Sequence, residues 1–146
     1  MRISSKGCYA VAALIEMALD EVNDCIAVAT IARNLGISKI YLEQVFSILK
    51  RSGLLVSTKG AQGGYSLRDV PEHITLKDIL SPIELHMFEG SERSVENIPP
   101  ELGNVINNLV FSPLDDAILA TLTSVTLADL AADIKNRRDD GHMYYI

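Results

Sequence analysis

The apolar positions of the first half fall into three helical stripes followed by two short alternating runs. From Ser4 to Asp20, Ala10, Val11, Ala13, Leu14, Met17 and Ala18 recur at three- and four-residue spacing, which predicts a well-buried helix. Val22 to Asp24 breaks the pattern. Val28, Ile31, Ala32 and Leu35 define a short second helix, with Gly36 placed as a left-handed cap. Ser38 is a good N-cap for a third helix over 38–52, whose buried stripe is Leu42, Val45, Phe46 and Leu49. Leu54 to Thr58 and Tyr65 to Arg68 are β-prone. The glycines of Lys59-Gly60-Ala61-Gln62-Gly63-Gly64 between them permit a tight hairpin tip.

After Val70-Pro71 the pattern changes. Thr75 with Asp78 forms a capping-box signal for a short helix through Leu80, which Ser81-Pro82 ends. Residues 83–99 read as an irregular acidic linker. Leu102, Val105, Ile106 and Leu109 make another amphipathic helix. Ser112-Pro113-Leu114-Asp115 is a start signal, with Ser as N-cap and Pro at the first helical position; a helix then starts, or a longer one kinks, at Pro113. Thr126 with Asp129 repeats the capping pattern for a last helix through Ile134, and residues 136–146 read as a tail. The expected organisation is a reader at 1–70, a short helix and effector loop at 71–99, dimerisation helices at 100–135 and the tail. The expected fold is mainly α with a small β-hairpin wing.

A helix, a turn through Gly36-Ile37, a second helix and a Gly-tipped hairpin form the winged helix-turn-helix pattern. The side of the third helix opposite its apolar stripe carries Lys39, Tyr41, Glu43, Gln44, Ser47 and Lys50. Such groups suit base edges: Gln pairs with adenine, a carboxylate accepts from cytosine N4, and Ser serves either. Arg2, Ser4, Ser5 and Lys6 sit where free helix N–H groups and cations meet phosphate. Lys59 at the hairpin tip is a cation for a narrow minor groove. The plainer reading of each feature is a solvated helix face or an ordinary hairpin; the order and spacing of all of them favour double-stranded DNA.

Charge sharpens this picture. The net charge of −6 is unevenly spread: residues 1–68 carry eight Lys/Arg against five Asp/Glu, and residues 69–146 carry five against fourteen. A basic head fits a polyanion and an acidic body faces elsewhere. No apolar run of the roughly 18 residues of a membrane span is expected, and Met1 to Lys6 lacks a secretory signal, so a cytoplasmic protein without a membrane partner is expected. With two cysteines, Cys8 and Cys25, and no CxxC pair, reduced thiols rather than a disulfide framework are expected.

Three segments carry a family resemblance: Met1 to Gly7, Tyr41-Leu42-Glu43-Gln44, and Lys59 to Leu67. They resemble the signature of the Rrf2 family of bacterial regulators, closely over residues 1–68, less so over 69–81, and again over Ser124 to Leu130. The resemblance implies a homodimer reading a palindrome, with the helix before Ser124 crossing its partner and the wing reaching the minor groove. It places base reading on Ser38, Tyr41, Glu43 and Gln44, and the wing cation on Lys59; Gly60, Gly63, Gly64 and Tyr65 of the wing join the expected DNA-binding residues. Repression is the expected outcome.

Cluster-binding members of the family carry three cysteines ahead of the dimer helix, whereas residues 84–108 here contain none. Thiolates hold iron–sulfur clusters, so no cofactor is expected. Sensing then falls to a small molecule or protein near 83–110, or to a thiol. Cys25, in a loop, is the better redox candidate; the alternative is a small inert hydrophobe beside Ile26. Cys8 lies in the first helical turn, where the dipole favours thiolate, and in some members this position ligates the partner's cluster. A metal site from Glu84, His86, Glu89 and Glu92 is conceivable, but solvated charge is the commoner meaning of such a run, and none is expected. No nucleophile triad, phosphate loop or metal-spaced motif marks an enzyme, and the Gly60/Gly63/Gly64 loop joins two strands rather than a strand to a helix. The alternative to DNA reading is a protein-binding winged-helix adaptor.

Overall fold

The computed structural model describes residues 2–89 and 97–143, and of residues 142 and 143 the backbone alone. Helix α1 spans Ser5–Leu19, and the Ser4 hydroxyl accepts from the Gly7 N–H at 3.1 Å as its N-cap. It buries Ala10, Ala13, Leu14 and Met17. Helix α2, Val28–Leu35, ends on Gly36 at φ 67°, a conformation that glycine adopts without strain. Helix α3, Lys39–Arg51, begins at Ser38, whose hydroxyl accepts from the Tyr41 N–H at 3.4 Å. Leu42, Val45, Phe46 and Leu49 close the core beneath it.

Strands β1 (Leu55–Thr58) and β2 (Gly64–Leu67) pair antiparallel from Leu55↔Leu67 to Thr58↔Gly64. The far edge of β2 is also covered: Ile26 and Tyr65 exchange two backbone hydrogen bonds of 2.9 Å. A Cβ on Gly64 would overlap the Ile26 carbonyl, so glycine sets this close approach. The Tyr65 ring stands edge-on to Phe46 at 5.0 Å, locking the wing root to α3.

Helix α4 (Leu76–Leu80) opens on the expected capping box, Thr75 with Asp78. Helix α7 (Leu127–Met143) opens on the same device: Thr126 N–H donates to Asp129 at 2.9 Å, and Asp129 N–H to the Thr126 hydroxyl at 3.1 Å. The Thr126 N–H holds the Asp129 carboxyl below the usual carboxylate range. The two caps face each other, with Leu76 N–H on the Val125 carbonyl at 2.9 Å and Leu127 N–H on that of Ile74 at 2.7 Å. The sequence pattern placed the end of α7 near Ile134; instead residues 136–143 are helical. Ion pairs extend it: Arg137 with Asp133 one turn back, Arg138 with Glu16 of α1 at 2.9 Å, and Lys135 with Glu21, just beyond the end of α1, at 3.3 Å. The remainder of the expected tail, Tyr144 to Ile146, lies outside the described residues.

A second difference concerns Pro113. Helix α5 (Pro100–Ile106), a π-turn (Asn107–Phe111) and helix α6 (Ser112–Ser124) form one continuous helix. Ser112, at φ −60° and ψ −46°, is inside it and is no N-cap. Its N–H bonds the Asn107 carbonyl five residues back. The widened turn shifts the preceding carbonyls away from the Pro113 ring, which lacks an N–H and would otherwise clash one turn back. Of the two readings, the start is overturned: the helix runs through Pro113, with its distortion confined to the π-turn just ahead. An 18-residue window within its 25 residues reaches a mean hydropathy of 1.2, so by length and composition alone it is long and apolar enough to cross a membrane. It is not an unbroken apolar run, since Asn104, Asn107, Asn108, Asp115 and Asp116 interrupt it. Along this helix Leu122 alone is buried, while Leu102, Val105, Leu109, Val110 and Leu114 face solvent. Of the expected linker, Leu85–Met87 forms a 3₁₀ turn, and residues 90–96 lie outside the described residues.

Candidate nucleic-acid interface

Helix α3 is divided cleanly in two. Its buried stripe fixes it to α1, α2 and β1, and that packing turns Lys39, Ile40, Glu43, Gln44, Ser47 and Lys50 outward. Ile40, Glu43, Gln44 and Ser47 follow three- and four-residue spacing, so they form one ridge. Lys39 and Glu43 pair at 3.5 Å on this surface. The lysine partly offsets the charge of the carboxylate on this outward face. Tyr41 is half-buried, its ring edge-on to Tyr9 at 5.6 Å, which holds it at the rim of the ridge. The Ser38 hydroxyl is engaged as the cap.

The ridge includes one residue that the pattern analysis omitted. Ile40 is 70% exposed. An apolar residue is read as core by default, and Ile40 falls outside the Leu42, Val45, Phe46 and Leu49 stripe. Its spacing to Glu43 and Gln44 is the signal that would have found it.

At the wing, Lys59 and Gly60 are exposed at the tip, with Gly60 at φ 115°. Gly63 N–H closes the turn on the Gly60 carbonyl at 3.0 Å. Gly64 and Tyr65 lie at the root, against Ile26 and Phe46, and build the wing rather than cap it. The α1 start is the third part. Arg2 and Ser5 are exposed and Lys6 is half-buried. Ser4 is already engaged: its N–H and hydroxyl both donate to one Glu84 oxygen, at 2.8 and 2.6 Å. A Cβ on Gly7 would overlap that carboxylate, so the glycine admits it. Glu84 thus ties the segment after α4 to the start of the reader. No local pattern announces a contact between residues 80 positions apart.

The thiols are placed differently from their expected order of accessibility. Cys8 is exposed and Cys25 half-buried, the Cys25 S–H donating to the Gln62 carbonyl at 3.1 Å. Cys25 thereby touches the wing turn. The four residues considered for a metal do not converge: Glu84 holds Ser4, His86 pairs with Glu89 at 3.1 Å, and Glu92 lies outside the described residues. Among the described residues no three His, Cys, Asp or Glu side chains are grouped for a metal ion. The donor set also does not fit an iron–sulfur cluster, since residues 84–108 contain no cysteine and both thiols belong to the reader. Between the Leu85–Met87 turn and α6 lies a small groove of about 130 Å³, lined by Met87, Phe88, Glu89, Asp115, Ile118 and Leu119.

Comparison with known proteins agrees with this geometry. The family model Rrf2, described as an iron-dependent transcriptional regulator, matches residues 3–133. The chain is 34% identical to the HTH-type transcriptional regulator CymR of Bacillus subtilis (strain 168) over 146 residues, all of both chains. It is 33% identical over 129 residues to the HTH-type transcriptional regulator IscR of Aliivibrio salmonicida, covering 84% of this chain and 77% of that one. The solved structure of CymR, the global cysteine regulator of B. subtilis, superposes with a TM-score of 0.75 at 33% identity, covering 90% of this chain and 97% of that one.

Proposed function

The chain belongs to the Rrf2 family of DNA-binding transcriptional regulators, and from that premise we propose that it acts as a homodimer that reads a palindromic operator and represses transcription from it. It is a regulator and not an enzyme. The dimer is carried by one observation: the helix from Pro100 to Ser124, roughly 37 Å long at 1.5 Å per residue, leaves its apolar side chains in water. A second copy crossing it covers that surface, and two-fold pairing presents two readers to two half-sites one helical turn or a multiple apart. Ser38, Tyr41, Glu43 and Gln44 meet base edges from α3; Arg2, Ser5, Lys6, Lys39 and Lys50 meet phosphates; Lys59 enters the minor groove. Occupation of both grooves excludes other proteins from the site, which supports repression. The site of action is the cytoplasm, where the operator is.

The experiment is sedimentation equilibrium of the full chain together with footprinting on genomic fragments. A dimer and a two-fold symmetric footprint are expected. A monomer that inserts into vesicles through Pro100–Ser124, or a protein that selects no DNA, would overturn the proposal.

Regulation is proposed to run without a cluster. The groove beside Met87 and Phe88 supports a small effector or partner segment near 83–110. The Cys25 thiol, against the wing turn, supports an oxidation route. Peroxide transfers one oxygen to the thiol and leaves as water; the sulfenic acid is bulkier and more polar at the Gln62 carbonyl. Iron and sulfide analysis after anaerobic purification should find neither in stoichiometric amount. Peroxide should weaken DNA binding in a way that Cys25→Ser abolishes; insensitivity leaves the groove as the route.

A further inference from the structure

Ile40 has no structural reason to be isoleucine. It is the one large hydrophobic residue of α3 that is exposed, it contributes nothing to the core, and a β-branched side chain is a slightly poorer helix former than the alanine or glutamate common at such positions. Single exposed hydrophobic residues are ordinary on protein surfaces. This one, however, stands on the first turn of α3, on the ridge of Glu43, Gln44 and Ser47, and the N-terminal turn of a recognition helix is the part that reaches base edges. Glu43 and Gln44 offer polar partners to bases, and Ile40 beside them offers none.

We propose that Ile40 is a specificity-determining residue that reads the C5-methyl group of a thymine, a proposal that rests on α3 being the recognition helix. Thymine is the one base with a methyl in the major groove, and an apolar side chain is its natural partner. Ile40 also discriminates against cytosine at that position, because the cytosine N4 donor would lie against a side chain unable to accept from it. Ile40 and Gln44 are four residues apart, about 6 Å along the axis. With about 3.4 Å per base step, the methyl lies within about two base pairs of the base that Gln44 reads.

The test uses the full chain and an operator obtained by selection from random duplexes. Each thymine of the half-site is replaced by uracil, which removes the methyl and nothing else. One position per half-site should weaken wild-type binding about fourfold, the value of one buried methyl. At the same position 5-methylcytosine should bind better than cytosine. Ile40→Ala should abolish both differences while its thermal unfolding stays unchanged, since the side chain is outside the core. Uracil tolerated at every position, or a uracil penalty that survives Ile40→Ala, would overturn the assignment. A wild-type protein that selects a site sensitive to Glu43→Ala yet indifferent to uracil refutes Ile40 alone; one that selects no site refutes the recognition helix as well.

Discussion

The reader and the long helix treat apolar side chains in opposite ways. In the reader, Ala10, Leu14, Leu42, Val45, Phe46 and Leu49 are wholly removed from water. Along Pro100–Ser124 one residue, Leu122, is buried, and Leu109 is 73% exposed. The charges divide similarly, with a net +3 over residues 1–68 and −9 over 69–146. The reader core is closed within one chain, with Ile74, Ile79 and Leu127 completing it, and leaves charge for DNA. The second half keeps an unfinished apolar surface within an acidic body. On the proposed dimer, stability in the first region is a property of one chain, and in the second it would depend on chain concentration.

The strongest way to break this contrast is to damage each region by one residue. Phe46→Ala removes the largest fully buried side chain, together with the support for Tyr65, and should destabilise the fold by about 3–5 kcal/mol at every protein concentration. Thermal unfolding across a dilution series checks it. Leu109→Glu should leave the reader folded, as judged by near-ultraviolet circular dichroism, yet give monomers in sedimentation. Its operator affinity should fall on the order of 100-fold as linked half-site binding is lost. An unfolded Leu109→Glu, or one that stays dimeric, would erase the distinction between the regions.

Smaller effects sharpen the reader itself. Glu43→Ala should widen the set of bound sites, relaxing one base position by roughly 1–3 kcal/mol; unchanged selection would make Glu43 a solvated partner of Lys39. Lys59→Ala should have the smallest effect, weakening all sequences alike and lowering the salt slope by roughly one. A base-dependent loss from Lys59→Ala would instead make the wing a sequence reader.

What could be read from the chain follows the range of the forces involved. The reader helices are announced by stripes such as Leu42, Val45, Phe46 and Leu49, and bounded by local chemistry at Ser4, Gly36 and Ser38. The two Thr-Asp caps were legible for the same reason, since each is complete within four residues. The second half of α7 has no apolar stripe to announce it; Arg138 and Lys135 are held by Glu16 and Glu21 over more than 110 positions. Pro113 left start and kink both open because a π-turn leaves no sequence signature. Ile40 was passed over because the rule that apolar residues are core has no term for a methyl group on a base. At the interface the polar candidates came from the outward face of a helix, whereas the Ser4–Glu84 contact needed the fold.

That last contact has a consequence in time. Ser4 and Glu84 are 80 residues apart, and at about 5–20 residues per second of synthesis some 4–16 s separate their appearance. The reader is made while the first turn of α1 is still unlatched, and its core waits on Ile74, Ile79 and Leu127 as well. That turn tightens only when α4 delivers the segment carrying Glu84 to the space that Gly7 leaves open. A full chain carrying Glu84→Ala would therefore hold a packed Leu14 and Phe46 beneath a fraying Ser4, and amide exchange on it would show protection lost first at Gly7.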